Sequence, residues 1–176
     1  MKSVMGLDLS LTSTGVSCDG KTTIVATKAK GAERLFNLQS AIRAELAANK
    51  HPGVVIEGYS FASRNSQAHS IGELGGVVRL LLHMLEIPYV EVPPTVRAKF
   101  ATGRGNASKN EVVSAVSART GIVWDGAGGD DRCDAYILEE MGRTVLGRQR
   151  HDWPAANLAA LEKIDWSELE LSLIHI

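Results

Sequence analysis

Met5-Gly6-Leu7-Asp8-Leu9-Ser10-Leu11-Thr12-Ser13-Thr14-Gly15-Val16 sets one carboxylate in the middle of an apolar run. Val4, Met5, Leu7 and Leu9 flank Asp8, and hydroxyl-rich residues follow from Ser10 to Thr14. A short apolar run closed by turn-forming residues reads as a buried strand. A bare carboxylate on such a strand is costly to bury without a partner. No Lys or Arg occurs between Asp8 and Gly20, so a metal ion is the natural partner. The plainer alternative is a turn residue at a strand end.

The stretches that follow set out a mixed α/β chain. Ser3–Leu9, Gly15–Cys18 and Thr22–Thr27 read as three strands, with Asp19-Gly20 as a hairpin turn between the second and third. From Ala32 to Asn49 the period changes: Leu35, Leu38, Ile42 and Leu46 mark an amphipathic helix, which His51-Pro52-Gly53 ends. Val54–Glu57 is a β-branched strand closing on a second carboxylate. The right-handed crossover rule makes it parallel to the first strand and beside it, with Asp8 and Glu57 both toward their C-terminal ends. A loop from Gly58 to Asn65 carries Tyr59, Phe61 and Arg64. A long helix from Ser66 to Glu86 follows, in which Gly72, Gly75 and Gly76 are expected to permit close packing, on the sheet or against a second subunit. Ile87–Val92 is a fifth strand, Pro93-Pro94 opens a segment bearing Arg97 and Lys99, and Thr102–Asn106 is a basic loop with Arg104. Ser108 caps a helix to about Arg119, with Glu111 completing a capping box.

Asp130 to Leu146 forms the last core helix, with Asp130 as its expected N-cap. Beyond Gly147, Leu158, Leu161 and Ile164 suggest a short amphipathic helix. The domain reading is therefore 1–147 for the core and 148–170 for a C-terminal extension. Residues 171–176, Leu-Ser-Leu-Ile-His-Ile, match an in-frame translation of the transposon end used in sequencing-library preparation and are expected to be a non-native tail.

At 176 residues, 44% hydrophobic and 22% charged, the chain has the make-up of a single ordinary globular core. No apolar run approaches the roughly 18 residues that span a bilayer, and no signal-peptide pattern opens the chain. Cys18 and Cys133 lack metal-ligand spacing and are expected to be reduced core thiols of a cytoplasmic protein. The net charge of −1 hides an asymmetry. Asp152 to Ile176 holds five acids against Lys163, whereas Pro93 to Gly121 holds Arg97, Lys99, Arg104, Lys109 and Arg119 against Glu111 alone. Such a basic stripe attracts a polyanion at close range, although many charge runs are simply solvated faces.

Asp131 and Asp134 share a helix face. The chain thus offers one carboxylate on each of two strands and a pair near a helix start. Hard cations such as Mg²⁺ take one or two carboxylates each plus waters, and two ions about 3.5–4 Å apart can drive phosphodiester cleavage. Asp (strand), Glu (strand), Asp-x-x-Asp (helix) is far more specific as an ordered set than any member alone.

On these residues the chain resembles the RuvC-type Holliday-junction resolvases of the ribonuclease H-like superfamily, from about Met5 to Gly142. Gly6-Leu7-Asp8 with Thr14-Gly15 is similar to the family's first motif. Ile56-Glu57, Phe61 to Asn65 and Ile71 to Gly76 are similar to its second, Gly103 to Lys109 to its basic loop, and Asp131 to Ala135 to its closing acidic motif. The resemblance implies an α/β ribonuclease H-like fold: a five-stranded mixed sheet, an antiparallel meander of the first three strands followed by two parallel strands, flanked by helices. It implies two Mg²⁺ or Mn²⁺ ions on Asp8, Glu57, Asp131 and Asp134, with Lys109 assisting cleavage and 5′-phosphate products. It also implies branched DNA as substrate, a homodimer placing two sites for symmetric nicks, and no nucleotide cofactor. Arg64, Arg97, Lys99 and Arg104 are expected on DNA phosphates, with Tyr59 or Phe61 stacking on a base at the crossover.

The sequence departs from the family pattern in two places. Leu9-Ser10 stands where the family has Pro-Gly, and one extra residue separates Glu57 from Phe61. Both departures suit a phage-encoded member acting on several branched structures. Two competing readings differ in class. Actin-like ATPases and sugar kinases also follow an Asp-bearing strand with Thr-Ser-Thr-Gly, but this chain is short for two such domains and has no second glycine-rich phosphate loop. A non-catalytic junction-binding module would not need all four acids.

Overall fold

The structure, a computed structural model, describes residues 3–50, 52–58 and 67–174. In chain order the elements are β1 (Val4–Asp8), β2 (Thr14–Cys18), β3 (Lys21–Val25), α1 (Gly31–Ala48), β4 (Gly53–Glu57), α2 (Gln67–Met84), β5 (Tyr89–Val92), α3 (Pro94–Thr102), α4 (Lys109–Thr120), α5 (Gly129–Val145), α6 (Ala155–Leu158), a 3₁₀ turn (Leu161–Lys163) and α7 (Ser167–Ile174). The five strands form one sheet in the order β3-β2-β1-β4-β5. β1–β2 and β2–β3 are antiparallel, whereas β1–β4 and β4–β5 are parallel. This is the mixed sheet that the residue pattern and the crossover rule imply. Asp19 and Gly20 both have positive φ (51° and 78°), as a tight two-residue hairpin requires.

Strand alternation divides the core in two. On one face Met5, Leu7, Val54 and Ile56 pack with Leu38, Ile42 and Leu46 of α1 and Leu74, Val78, Leu81 and Leu82 of α2. On the other, Val4, Val55, Val90 and Val92 pack with α3, α4 and α5. Leu7 pairs with Ile56 in the parallel register. Asp8 and Glu57, one residue further on, therefore both face the α5 side.

Two glycines let α5 lie directly on the sheet. A Cβ on Gly6 would sit 2.6 Å from the Glu139 nitrogen and collide with the Ala135 carbonyl oxygen, and one on Gly15 would sit 2.7 Å from the Asp131 carbonyl carbon. No side chain fits at either position, so the main chains of helix and strand touch.

The structure departs from the sequence reading in two places and adds detail in two others. The Arg97/Lys99 segment is a helix, α3, with Pro94 at its first turn and Gly103 in the left-handed conformation after its last residue, the usual Pro-in, Gly-out punctuation. Asp130 is not the N-cap of α5: left-handed Gly128 takes that place. The segment after Gly147 is not one amphipathic helix. It breaks into α6, the 3₁₀ turn and α7, and its buried residues are Trp153, Asn157, Ala160, Trp166 and Leu169, while Leu158 is exposed. Finally, a Cβ on Gly76 meets nothing within 4 Å among the described residues. This stretch of α2 is thus open among the described residues, as packing against a second subunit would need, and Leu80 and Met84 beyond it stand 59% and 70% exposed.

The post-147 residues share the core of the α5 face. Trp153 lies on Phe100 (ring centroids 4.3 Å) with the Arg119 guanidinium 5.0 Å from its ring, and Asn157 Nδ2 donates to the Phe100 carbonyl at 2.6 Å. α7 runs to Ile174, into the segment 171–176. Cys18 and Cys133 are free and buried. Among the described residues no helix is long and apolar enough to cross a membrane.

Candidate metal centre

β1 and β4 end side by side, and α5 crosses them where Gly6 and Gly15 allow contact. That junction brings Asp8, Glu57 and Asp134 together, one carboxylate oxygen of each lying within 4.8 Å of the others. Asp131, one turn before Asp134, lies outside this set. It is half-buried and close enough to help push the Asp8 carboxyl up. Three of the four expected acids thus converge, and the fourth borders them.

Crowded, poorly hydrated carboxylates resist ionisation together. The Asp8 carboxyl is held well above its usual range by burial first, then by Glu57 and Asp134. Burial raises Asp134 to about 7, with the Arg97 guanidinium opposing and Glu57 reinforcing the rise.

Arg97 is the residue whose role the sequence did not reveal. It is 8% exposed rather than standing on the open basic face, because α3 turns it inward with Val96 and Phe100. Its Nη1 donates to Asp134 Oδ1, its Nη2 donates to Glu57 Oε1 at 3.5 Å, and its Nε lies 2.8 Å from Glu57 Oε2. That last approach is misaligned: Glu57 Oε2 and Arg97 Nε are both buried without a hydrogen-bond partner. An orphaned carboxylate oxygen, aimed into a group of three acids with one guanidinium, is a donor set that a hard divalent cation fits.

The other expected residues lie around this point. Lys109 opens α4 and its Nζ pairs with Asp130 Oδ2 at 2.9 Å, with the side chain largely exposed. The capping box of Ser108 and Glu111 forms as its spacing implies. Arg104 is exposed and bonded to Glu111 Oε1 at 2.6 Å, while Lys99 is half-buried on α3. A cleft of about 150 Å³ joins Arg97, Asp134 and Lys109, floored by Gly105 and Ala107. Of the hydroxyls after β1, buried Thr14 Oγ1 donates to the Ser10 carbonyl at 2.7 Å and accepts from the Ser10 amide, while Ser10 Oγ and Thr12 Oγ1 bond each other at 3.1 Å at the surface. Tyr59, Phe61 and Arg64 lie outside the described residues.

A mixed sheet in this order, with acids at the ends of its central parallel strands and at the start of the helix across them, is the arrangement of a ribonuclease H-like fold. The chain is similar to RuvC proteins in sequence and in fold. It is 30% identical over 104 residues to the crossover junction endodeoxyribonuclease RuvC of Carboxydothermus hydrogenoformans, an alignment covering 58% of this chain and 65% of that relative. No protein-family model matches the sequence. In fold it is similar to Thermus thermophilus RuvC, with a TM-score of 0.64 and 18% identity over 86% of this chain and 99% of that one. The same protein in complex with a Holliday junction substrate gives 0.65 and 18% over 88% and 100%. The yeast mitochondrial Holliday junction resolvase gives 0.54 and 14% over 78% and 76%.

Proposed function

We propose that this chain is a metal-dependent, structure-selective endodeoxyribonuclease that resolves Holliday junctions, and other branched DNA, by symmetric nicks in the cytoplasm of a bacterial or phage-infected cell. The convergence of Asp8, Glu57 and Asp134 within 4.8 Å carries the reading. The sequence match to RuvC supports the same substrate class.

Asp8, Glu57, Asp131 and Asp134 would together hold two Mg²⁺ or Mn²⁺ ions. Bound there, the ions supply the activated water and charge neutralisation of a two-metal hydrolysis that leaves 5′-phosphates. Lys109, tethered by Asp130 at the mouth of the cleft, offsets charge developing on the phosphate. Arg64, Lys99 and Arg104 bind backbone phosphates without reading sequence, and Tyr59 or Phe61 stacks on a base at the crossover. Two copies joined through the open face of α2, where Leu80 and Met84 are exposed, would present two sites in matching orientation.

Labelled four-way, three-way and linear DNA incubated with the protein in Mg²⁺, in Mn²⁺ and in EDTA test this. Paired nicks in the four-way junction, dependent on the metal, are expected. Equal cutting of all three substrates would make it a general nuclease. Junction binding in EDTA with no cleavage in either metal would make it a binding module.

A further inference from the structure

Arg97 occupies the middle of the carboxylates rather than their surroundings. Its guanidinium bonds Asp134 and lies against Glu57, two of the three acids that converge with Asp8. The residue is 8% exposed and comes from a helix fixed on its far side: Asn157 holds the Phe100 carbonyl and Trp153 covers the Phe100 ring. A cation built into the fold therefore sits on the ligands that a divalent cation needs. Two cations cannot share the same carboxylate oxygens in a poorly hydrated pocket, because each repels the other at close range.

We propose that Arg97 is an internal counter-ion that competes with the divalent cation for Glu57 and Asp134. When the cation binds, the guanidinium leaves these acids and turns into the cleft beside Lys109. The proposal rests on the metal reading above. The Glu57 contact, one long 3.5 Å hydrogen bond beside a misaligned Nε, is the easier half to give up. The cleft of about 150 Å³ bordered by Arg97, Asp134 and Lys109 offers the displaced group a place. The arrangement keeps the surplus of buried acids partly neutralised before metal arrives, and it weakens the protein's intrinsic affinity for metal.

Mn²⁺ titration followed by electron paramagnetic resonance at pH 8, without DNA, tests this on the wild type and Arg97→Met. Removing one close competing charge is expected to tighten Mn²⁺ binding about tenfold or more. It is also expected to lower the metal-free melting temperature, and Arg97→Lys should fall between. Equal or weaker Mn²⁺ binding by Arg97→Met overturns the competition. Absence of Mn²⁺ binding by either protein overturns the metal reading and the proposal together. Should Arg97→Met not fold, the side-chain Nε–H signal of Arg97 in nitrogen-15-labelled wild type decides. A shift with faster exchange on adding Mg²⁺ supports release, whereas an unchanged signal in protein that binds Mg²⁺ overturns it.

Discussion

Glu139 and Glu140, in the C-terminal half of α5, are fully buried and fully answered. Ser17 Oγ donates to Glu139 at 2.6 Å, the Gly20 amide donates to it at 3.2 Å, and the Arg150 guanidinium bonds both glutamates. Arg143 approaches Glu140 at 3.8 Å. Asp134 lies five residues earlier, about 7.5 Å along the helix. There three acids share one guanidinium, and a buried Glu57 oxygen has no donor. Both clusters take carboxylates out of water, but one balances its charge within the fold and the other leaves a deficit. A buried cluster that closes on itself ties elements together: here the β2–β3 hairpin, α5 and the chain after Gly147. A cluster left open has unmet need for positive charge, and that need separates a binding site from an internal strut.

The widest gap between the clusters should appear with Asp8→Asn. Losing a direct ligand is expected to cost cleavage more than about 100-fold, beyond what loss of a ligand's supporting partner costs. Junction binding should survive in a gel-shift assay, and metal-free melting should rise as a surplus negative charge leaves the pocket. A variant that cleaves at the wild-type rate would remove Asp8 from the site. Arg150→Ala breaks the closed cluster and should show the opposite pattern. Stranding two buried carboxylates costs about 3 kcal/mol of unfolding free energy by urea titration, the low end for a broken buried pair, because Arg150 is 24% exposed. Mn²⁺ affinity of the folded protein should not change.

The pH dependence of stability sharpens the contrast. Asp134 titrates near 7 in the folded protein, above its value in the unfolded chain. Between pH 4 and 7 the native state keeps a proton that the unfolded state has lost, so stability falls as pH rises through this window and levels off above it. Melting of metal-free protein from pH 5 to 8 should show the decline. Asp134→Asn should flatten it in part, since the Asp8 and Glu139 carboxyls are also raised by burial. A saturating divalent cation should reverse the trend, because it binds the deprotonated acids. The smallest stability effect belongs to Lys109→Gln. Its exposed pair with Asp130 contributes within about 0.5 kcal/mol, yet cleavage should slow by more than about tenfold if the lysine meets the phosphate. Unchanged cleavage would assign Lys109 to the surface alone.

Asp8, Glu57 and Asp134 were legible in the sequence because their placement depends on local pattern: two apolar strands joined through a helix, and a three-residue step on another helix. Arg97 was not. It sits in a basic run that resembles a solvated face, and only the docking of α3 against Trp153 and Asn157, more than fifty residues later, turns it inward. The signals for α3 itself, Pro94 and Gly103, were present. The chain after Gly147 hid its role because Trp153, Asn157, Ala160, Trp166 and Leu169 follow no single period. The Glu139–Arg150 cluster escaped notice because adjacent glutamates on a helix ordinarily face water.

Gly6 and Gly15 carry no chemistry, yet they set the span of the acidic centre. Where α5 meets β1 and β2, main chain rests on main chain, so the separation of the backbones that carry the strand and helix carboxylates is gauged by atomic radii. A methyl group at Gly6 would act as a shim, prising the helix away and widening the gap between the strand and helix acids. The least forgiving positions for this site are thus two that could never be found by looking for ligands.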